Sequence, residues 1–185
     1  PAQPVPNRQL YFNPVSYTQT PLSARKLLSP DPFSAFLISF NACRPTSRGE
    51  LHIGSRDPRV APVIRPNYLS TERDLEEARA GCRLLRQIAA ASPLADVITE
   101  ELYPGPGVVS DEELLEDFRQ RADTVYHPTC TCRMGPDSRE AVVDARLRAY
   151  GLDNLRIFDA SVFPTVTSGN TNAPTVMVAE KGVAM

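Results

Sequence analysis

Residues 168–181 read SGNTNAPTVMVAEK, and the order of turn formers and apolar residues in them decides how the chain ends. Asn172 is a plausible N-cap. Pro174 falls in the first turn of a helix, where its missing N–H costs nothing. A helix that begins there directs the positive end of its dipole back at the loop 168–172. Preceded by Gly169 and Asn170, such a start is a ready site for an anion or a hydrogen-bond acceptor.

Upstream, VVDARLRAYGLDNLRIFDAS at 142–161 has a hairpin-like pattern and closes on LRIFDAS, expected to be a buried strand. Before it stands YHPTCTCRMG at 126–135, where one of two histidines precedes two of four cysteines. His127, Cys130 and Cys132 could serve a metal. The usual structural zinc spacing is absent, however, and a fourth ligand is not at hand; His52 lies on an expected strand without a ligand partner. A Cys–His nucleophile would need a thiolate stabilised by an imidazolium or a helix start. No oxyanion donors are evident around these cysteines, and free cysteines are mostly small buried hydrophobes, with Cys130 the thiol to watch. Taken singly, His127 also reads as a satisfied loop histidine.

Working back to the start, the first thirty residues are extended and punctuated by proline. FLISFNACRP, GELHIGS and VIRPNYL then read as strands separated by Gly and Pro turns. In GELHIGS, Leu51 and Ile53 share one face and Glu50 and His52 the other, the alternation of a half-buried antiparallel strand. A helix is expected from about Thr71, with Asp74 three residues on and Leu75, Ala78, Cys82, Leu85 and Ala89 along one stripe. Ser92 and Pro93 open the turn that ends it. PGPG at 104–107 is a hard break, and Ser110 with Glu113 makes a capping box for a second helix, DEELLEDFRQRA.

The whole chain has 185 residues, 20 basic and 22 acidic, for a formal net charge of −2. That length suits one medium domain or one and a half small ones. The balance offers no face for nucleic acid and no charged tail. The 18 prolines are about twice the usual share and are spread along the chain, as in a loop-rich fold. The spacing of Cys43, Cys82, Cys130 and Cys132 suits neither a disulfide framework nor a paired zinc module, which points to a reducing, cytoplasmic setting. No apolar run is long enough to span a bilayer.

The blocks YHPTCTCRMG, VVDARLRAYGLDNLRIFDASVFP and SGNTNAPTVMVAEK, in that order, closely resemble the C-terminal signature of the glucose–methanol–choline (GMC) flavin oxidoreductases. That signature runs HPxGTCRMG, then VVDxxLRVxGxxxLRVxDASVxP, then SGNTNAPTxMIAEK. The segment CRPTSRGELHIGSRDPRVAPVIRPNYLSTERDLEEARAGCRLLRQI resembles the family's substrate-domain strands and helix. The first thirty residues are nearest to choline-dehydrogenase-like members. Two departures stand out. Cys130 replaces the glycine of HPxGT, and the GxGxxG fingerprint of the family's N-terminal βαβ unit is absent. The chain is therefore expected to be a fragment or one part of a two-part enzyme. Its missing N-terminal FAD-binding half would lie in the same full-length chain or a separate one, and the chain alone would hold FAD poorly.

The resemblance implies an α+β chain. Residues 1–126 would form an antiparallel-sheet substrate domain with flanking helices. Residues 127–185 would supply the active-site loop, a return strand and the C-terminal helix of a Rossmann-like FAD-binding domain. It implies oxidation of a small-molecule alcohol, with FAD taking hydride and His127 taking the hydroxyl proton. A histidine suits that task because its ordinary pKa, about 6.5, lies near working pH. Asn170 falls on the second catalytic position and would donate to the substrate oxygen. Asp159, Ala160, Asn172, Ala173, Pro174 and Thr175 would line the cofactor. Asp159 also reads as a turn residue and Asn172 as a simple cap, while Met134 and Phe163 read as packing. Two rivals remain: a hydroxynitrile lyase of the same family, and a non-catalytic partner subunit of a split flavoenzyme.

Overall fold

The structure, a computed structural model, describes residues 5–17 and 29–185. Of the expected extended N-terminal stretch, residues 1–4 and 18–28 lie outside that description. In chain order the elements are β1 (Arg8–Asn13), β2 (Leu37–Ala42), β3 (Glu50–His52), β4 (Val63–Arg65), α1 (Glu72–Ala89), α2 (Asp111–Arg121) and α3 (Asn172–Val183). A short 3-10 turn, Ala160–Val162, precedes α3. The mixture of helices and small antiparallel sheets is the one expected. Among the described residues the strands form two separate ribbons: β1 pairs β2 from Arg8↔Ala42 to Asn13↔Leu37, and β3 pairs β4 from Glu50↔Arg65 to His52↔Val63.

α1 starts where its capping residue dictates. The Thr71 side chain accepts from the Asp74 N–H, satisfying a donor that has no helical partner. The inward stripe differs from the apolar one expected. Ala78 is buried, but its buried neighbours along the helix are Asp74 and Gly81. A Cβ on Gly81 would fall 2.1 Å from the Phe40 ring of β2, so a side chain is excluded by contact. Phe40 in turn stacks on Phe118 of α2 with centroids 5.3 Å apart. Leu114 and Leu115 are buried on α2, whose Ser110–Glu113 capping box forms as expected. One apolar cluster thus joins β2, α1 and α2.

Asp74 is buried because it is fully used. Its Oδ1 accepts from the Thr46 N–H at 2.8 Å and the Thr46 hydroxyl at 2.9 Å, and its Oδ2 accepts from the Ser47 N–H at 2.8 Å. Burial alone would raise this carboxyl, but the donors from Ser47 and Thr46 outweigh it and hold it below the usual carboxylate range.

A second cluster, Val143, Leu147, Val162, Phe163 and Val178, lies in the C-terminal third, with Met134 packed against it. Phe163 and Met134 are packing residues, as expected. The expected buried strand LRIFDAS does not form. Its backbone makes single bridges, Arg148↔Arg156 beside Val143↔Ala149. Leu155 is exposed, Arg156, Ile157 and Phe158 are half-buried, and Ala160 turns into the 3-10 segment. A strand needs a continuous ladder partner, and among the described residues the segment has only isolated bonds: on the hairpin side Ala149 N–H to Leu155 C=O at 3.0 Å and Ile157 N–H to Leu147 C=O at 3.1 Å, and beyond them Cys132 N–H to Ser161 C=O.

GELHIGS gives the other difference. β3 is antiparallel as expected but not half-buried: all three of its residues are exposed, and Ile53 is 87% exposed. A lone ribbon has no second layer to cover either face. The alternation still sorts the side chains. Glu50 and His52 share a face 3.1 Å apart, and Arg65 reaches Glu50 at 3.0 Å. Hydrogen bonds from His52 and Arg65 hold the Glu50 carboxyl below its ordinary value.

Candidate active site at the start of the last helix

The N-cap of α3 is Thr171, not Asn172, and its side chain makes no cap hydrogen bond. The shift has a local cause. With Thr171 at the cap, Asn172, Ala173 and Pro174 become the first three helical residues. Pro174 then occupies the third position, whose N–H a capping hydroxyl commonly bonds, and proline has none. The Thr171 hydroxyl is left for another partner, and it lies 3.0 Å from Nδ1 of His127. Thr171 is 8% exposed. The first helical bond runs from the Thr175 N–H to the Thr171 C=O at 3.0 Å, with the Thr175 hydroxyl donating to the same oxygen at 2.6 Å.

His127 is half-buried on a loop bent at both sides by left-handed residues, Tyr126 (φ 58) and Cys130 (φ 71). The second is the position where the family signature has glycine, the residue that tolerates such a φ at no steric cost. The loop beyond is laced to the C-terminal cluster: Cys132 N–H to Ser161 C=O at 3.0 Å, Met134 N–H to Val162 C=O at 2.8 Å, Gly135 N–H to Val143 C=O at 3.0 Å. The Cys130 Sγ sits 3.1 Å from the Thr129 hydroxyl. Among the described residues, no three of the His, Cys, Asp and Glu side chains converge as metal ligands. Burial pushes the Cys82 thiol up, which keeps it in the unreactive form.

Asn170 directly precedes Thr171, so the bond to His127 brings both expected catalytic residues to the start of α3. Asn170 is exposed, and its Oδ1 accepts from Nε2 of Gln9 on β1 at 2.8 Å. Two residues earlier, the Ser168 hydroxyl accepts from Nε of Arg44 at 2.9 Å. The loop 168–170 is thus tethered twice to the β1–β2 region. Gln9, Arg44 and Thr171 are site residues that sequence reasoning missed. Gln9 and Arg44 touch the loop across 161 and 124 positions of chain, a separation that carries no local signal. Pro174 at the third helical position was a signal for Thr171.

The expected cofactor residues divide. Asn172 and Ala173 are exposed on the first turn of α3, Pro174 and Thr175 are half-buried, and Ala160 is half-buried at the 3-10 turn. Asp159 is exposed and accepts from the Ser161 N–H at 2.7 Å, so it does serve as a turn residue. The site is open. A concavity of about 280 Å³ lies between 14–16 and 30–35, and a second of about 110 Å³ between Met134 and Met185; neither His127 nor Asn170 lines them. Among the described residues, no helix is long and apolar enough to cross a membrane.

Residues 45–179 match the family model for GMC oxidoreductase. The chain belongs to the GMC oxidoreductase family. It is similar to the mitochondrial choline dehydrogenase of Mus musculus, 47% identical over 182 residues, which are 98% of this chain and 30% of that protein. Among solved structures it resembles pyridoxine 4-oxidase from Mesorbium loti, with a TM-score of 0.76 at 38% identity over 82% of this chain and 29% of the other. It also resembles a formate oxidase of Aspergillus oryzae RIB40 studied for modification of its FAD, with a TM-score of 0.77 at 28% identity over 83% and 27%. The chain spans about 30% of the length of the curated relatives it matches. As a GMC member it is a choline-dehydrogenase-like sequence, and over the matched residues it shares its fold with these solved oxidases.

Proposed function

We propose that this chain carries the alcohol-side chemistry of an FAD-dependent oxidoreductase acting on a small alcohol such as choline. The observation that carries the proposal is the 3.0 Å bond between His127 Nδ1 and the Thr171 hydroxyl, which stations the imidazole beside Asn170 at the positive end of α3. Oxidising an alcohol removes a hydride from carbon and a proton from oxygen. FAD, when bound, supplies the hydride acceptor. His127 takes the hydroxyl proton on Nε2, the nitrogen turned away from Thr171. Asn170 donates from its amide nitrogen to the substrate oxygen. Its own carbonyl oxygen is occupied by Gln9, which leaves the donor end to face the substrate.

The donor set at α3 fits the cofactor assigned to it. The N–H groups of Asn172 and Ala173 have no helical carbonyl to bond, as at any helix start. Both residues are exposed, and the dipole favours negative charge there. Pro174 and Thr175 complete that turn, and Asp159 and Ala160 lead into the 3-10 turn whose Ser161 and Val162 carbonyls bond the loop that follows His127. In this reading residues 127–185 are the active-site and flavin-side portion and residues 1–126 the substrate-side portion. Their separate apolar clusters support that division. A glycine-rich βαβ unit beyond these residues would hold the dinucleotide. Four free cysteines support a reducing compartment such as the cytoplasm.

The test is replacement of His127 by Ala in the flavin-loaded enzyme, with stopped-flow measurement of flavin bleaching by alcohol. Loss of a general base costs roughly a hundredfold or more in rate. An undiminished rate would overturn the assignment.

A further inference from the structure

We infer that Thr171 is a positioning residue: its hydroxyl selects the imidazole form in which His127 can accept a proton from substrate. The inference rests on the reading of His127 as the base. A threonine at a helix N-cap normally turns its oxygen onto its own helix. Here no such bond exists, the residue is 8% exposed, and the oxygen lies 3.0 Å from Nδ1 of His127. The contact falls on Nδ1, where a hydroxyl can either accept or donate, and only the accepting arrangement leaves Nε2 of a neutral ring free to take a proton. When Nδ1–H donates to the hydroxyl oxygen, the lone pair of a neutral ring sits on Nε2, where a substrate proton can be received. Once Nε2 is protonated, the same hydroxyl oxygen goes on accepting from Nδ1–H, so the charged ring keeps its partner without rearrangement. A hydrogen bond to a charged group is worth more than one to a neutral group, so the contact tightens as the proton arrives and favours the transition state over the ground state.

Pro174 is part of this device. By removing the N–H at the third helical position it takes away a competitor for the Thr171 oxygen. Removing the hydroxyl therefore forfeits no cap bond, and valine keeps the shape of threonine at this buried position. This separates the inference from a purely structural role, in which the hydroxyl would matter to the helix.

The experiment uses the holoenzyme. Thr171→Val is expected to slow flavin reduction about tenfold while leaving KM for alcohol unchanged, and Thr171→Ser to return the rate to within about twofold of the parent. In a double-mutant cycle, Thr171→Val should have no further effect once His127 is Ala, because the hydroxyl acts only through the ring. Independently of activity, long-range 1H–15N spectra of [15N]histidine-labelled holoenzyme at alkaline pH, assigned with His127→Gln, should show a protonated Nδ1. That signal should turn to a mixture of tautomers in Thr171→Val. Losses that simply add, a serine variant that fails to recover, or an unchanged tautomer would overturn the inference. An undiminished rate in His127→Ala removes the proposed base and this inference with it. A slowed His127→Ala beside an unaffected Thr171→Val removes only the positioning role.

Discussion

Replacing Asp74 by Asn should weaken the protein through the loop that leads out of Arg44. Asp74 is 6% exposed and accepts three hydrogen bonds from Thr46 and Ser47, the loop that follows Arg44. An amide keeps one acceptor oxygen. It also turns an NH2 toward a donor, so at least one bond to charge is lost and one donor is left facing another. Bonds to charged groups contribute about 1.5–3 kcal/mol, and a stranded buried donor costs about 1–3 kcal/mol. A net loss of about 3 kcal/mol follows. With a urea slope of about 2 kcal/mol per molar, the unfolding midpoint should fall by about 1.5 M. The pH dependence supplies a second signature. The folded carboxyl titrates below its unfolded value of about 3.9. Its stabilisation is therefore present above that pH and is lost as pH falls through the folded value. Asn at position 74 should flatten that acid limb of the stability curve. A midpoint shift below about 0.3 M, or an unaltered acid limb, would refute the reasoning.

Two further substitutions probe backbone and packing. Cys130 sits at φ 71, so Cys130→Gly should be more stable than Cys130→Ala by about 1 kcal/mol in thermal unfolding; equal stabilities would show that the loop relaxes out of the left-handed region. Gly81→Ala gains about 1 kcal/mol of helix propensity. It also sets a Cβ 2.1 Å from a Phe40 ring already stacked on Phe118, a clash costing roughly 1–3 kcal/mol. The expected result is a melting temperature lowered by about 3 °C, and a rise would mean the ring can move aside.

What the sequence made legible was what is local. Thr71, Ser110 and Glu113 announced two helices because a cap and its first turn lie within four residues. The start of α3 was visible for the same reason, although the cap is Thr171 and not the expected Asn172. Asparagine and threonine both cap well, and only the consequence of Pro174 at the third position separates them. The strand expected at LRIFDAS failed because apolar content does not say whether a ladder partner is present, and the half-buried reading of β3 failed for want of a covering layer. His127 and Asn170 were singled out through a family signature, and the structure brings both to the start of α3. Their contacts span long chain separations, 161 positions from Gln9 to Asn170 and 44 from His127 to Thr171, so that even where Thr171 lies inside the signature its partner is not legible from it.

The tethers from Gln9 and Arg44 bear on how relatives can be recombined. His127 and Asn170 both lie in residues 127–185, but the Asn170 side chain is bonded from β1 whereas the imidazole is bonded at the start of α3. A chimaera that imports its first 126 residues from another family member would keep the imidazole seated while releasing the amide, unless donors matching Gln9 and Arg44 travel with the graft. Under the division proposed above, an exchange of residues 1–126 has to carry donors at positions 9 and 44 with it.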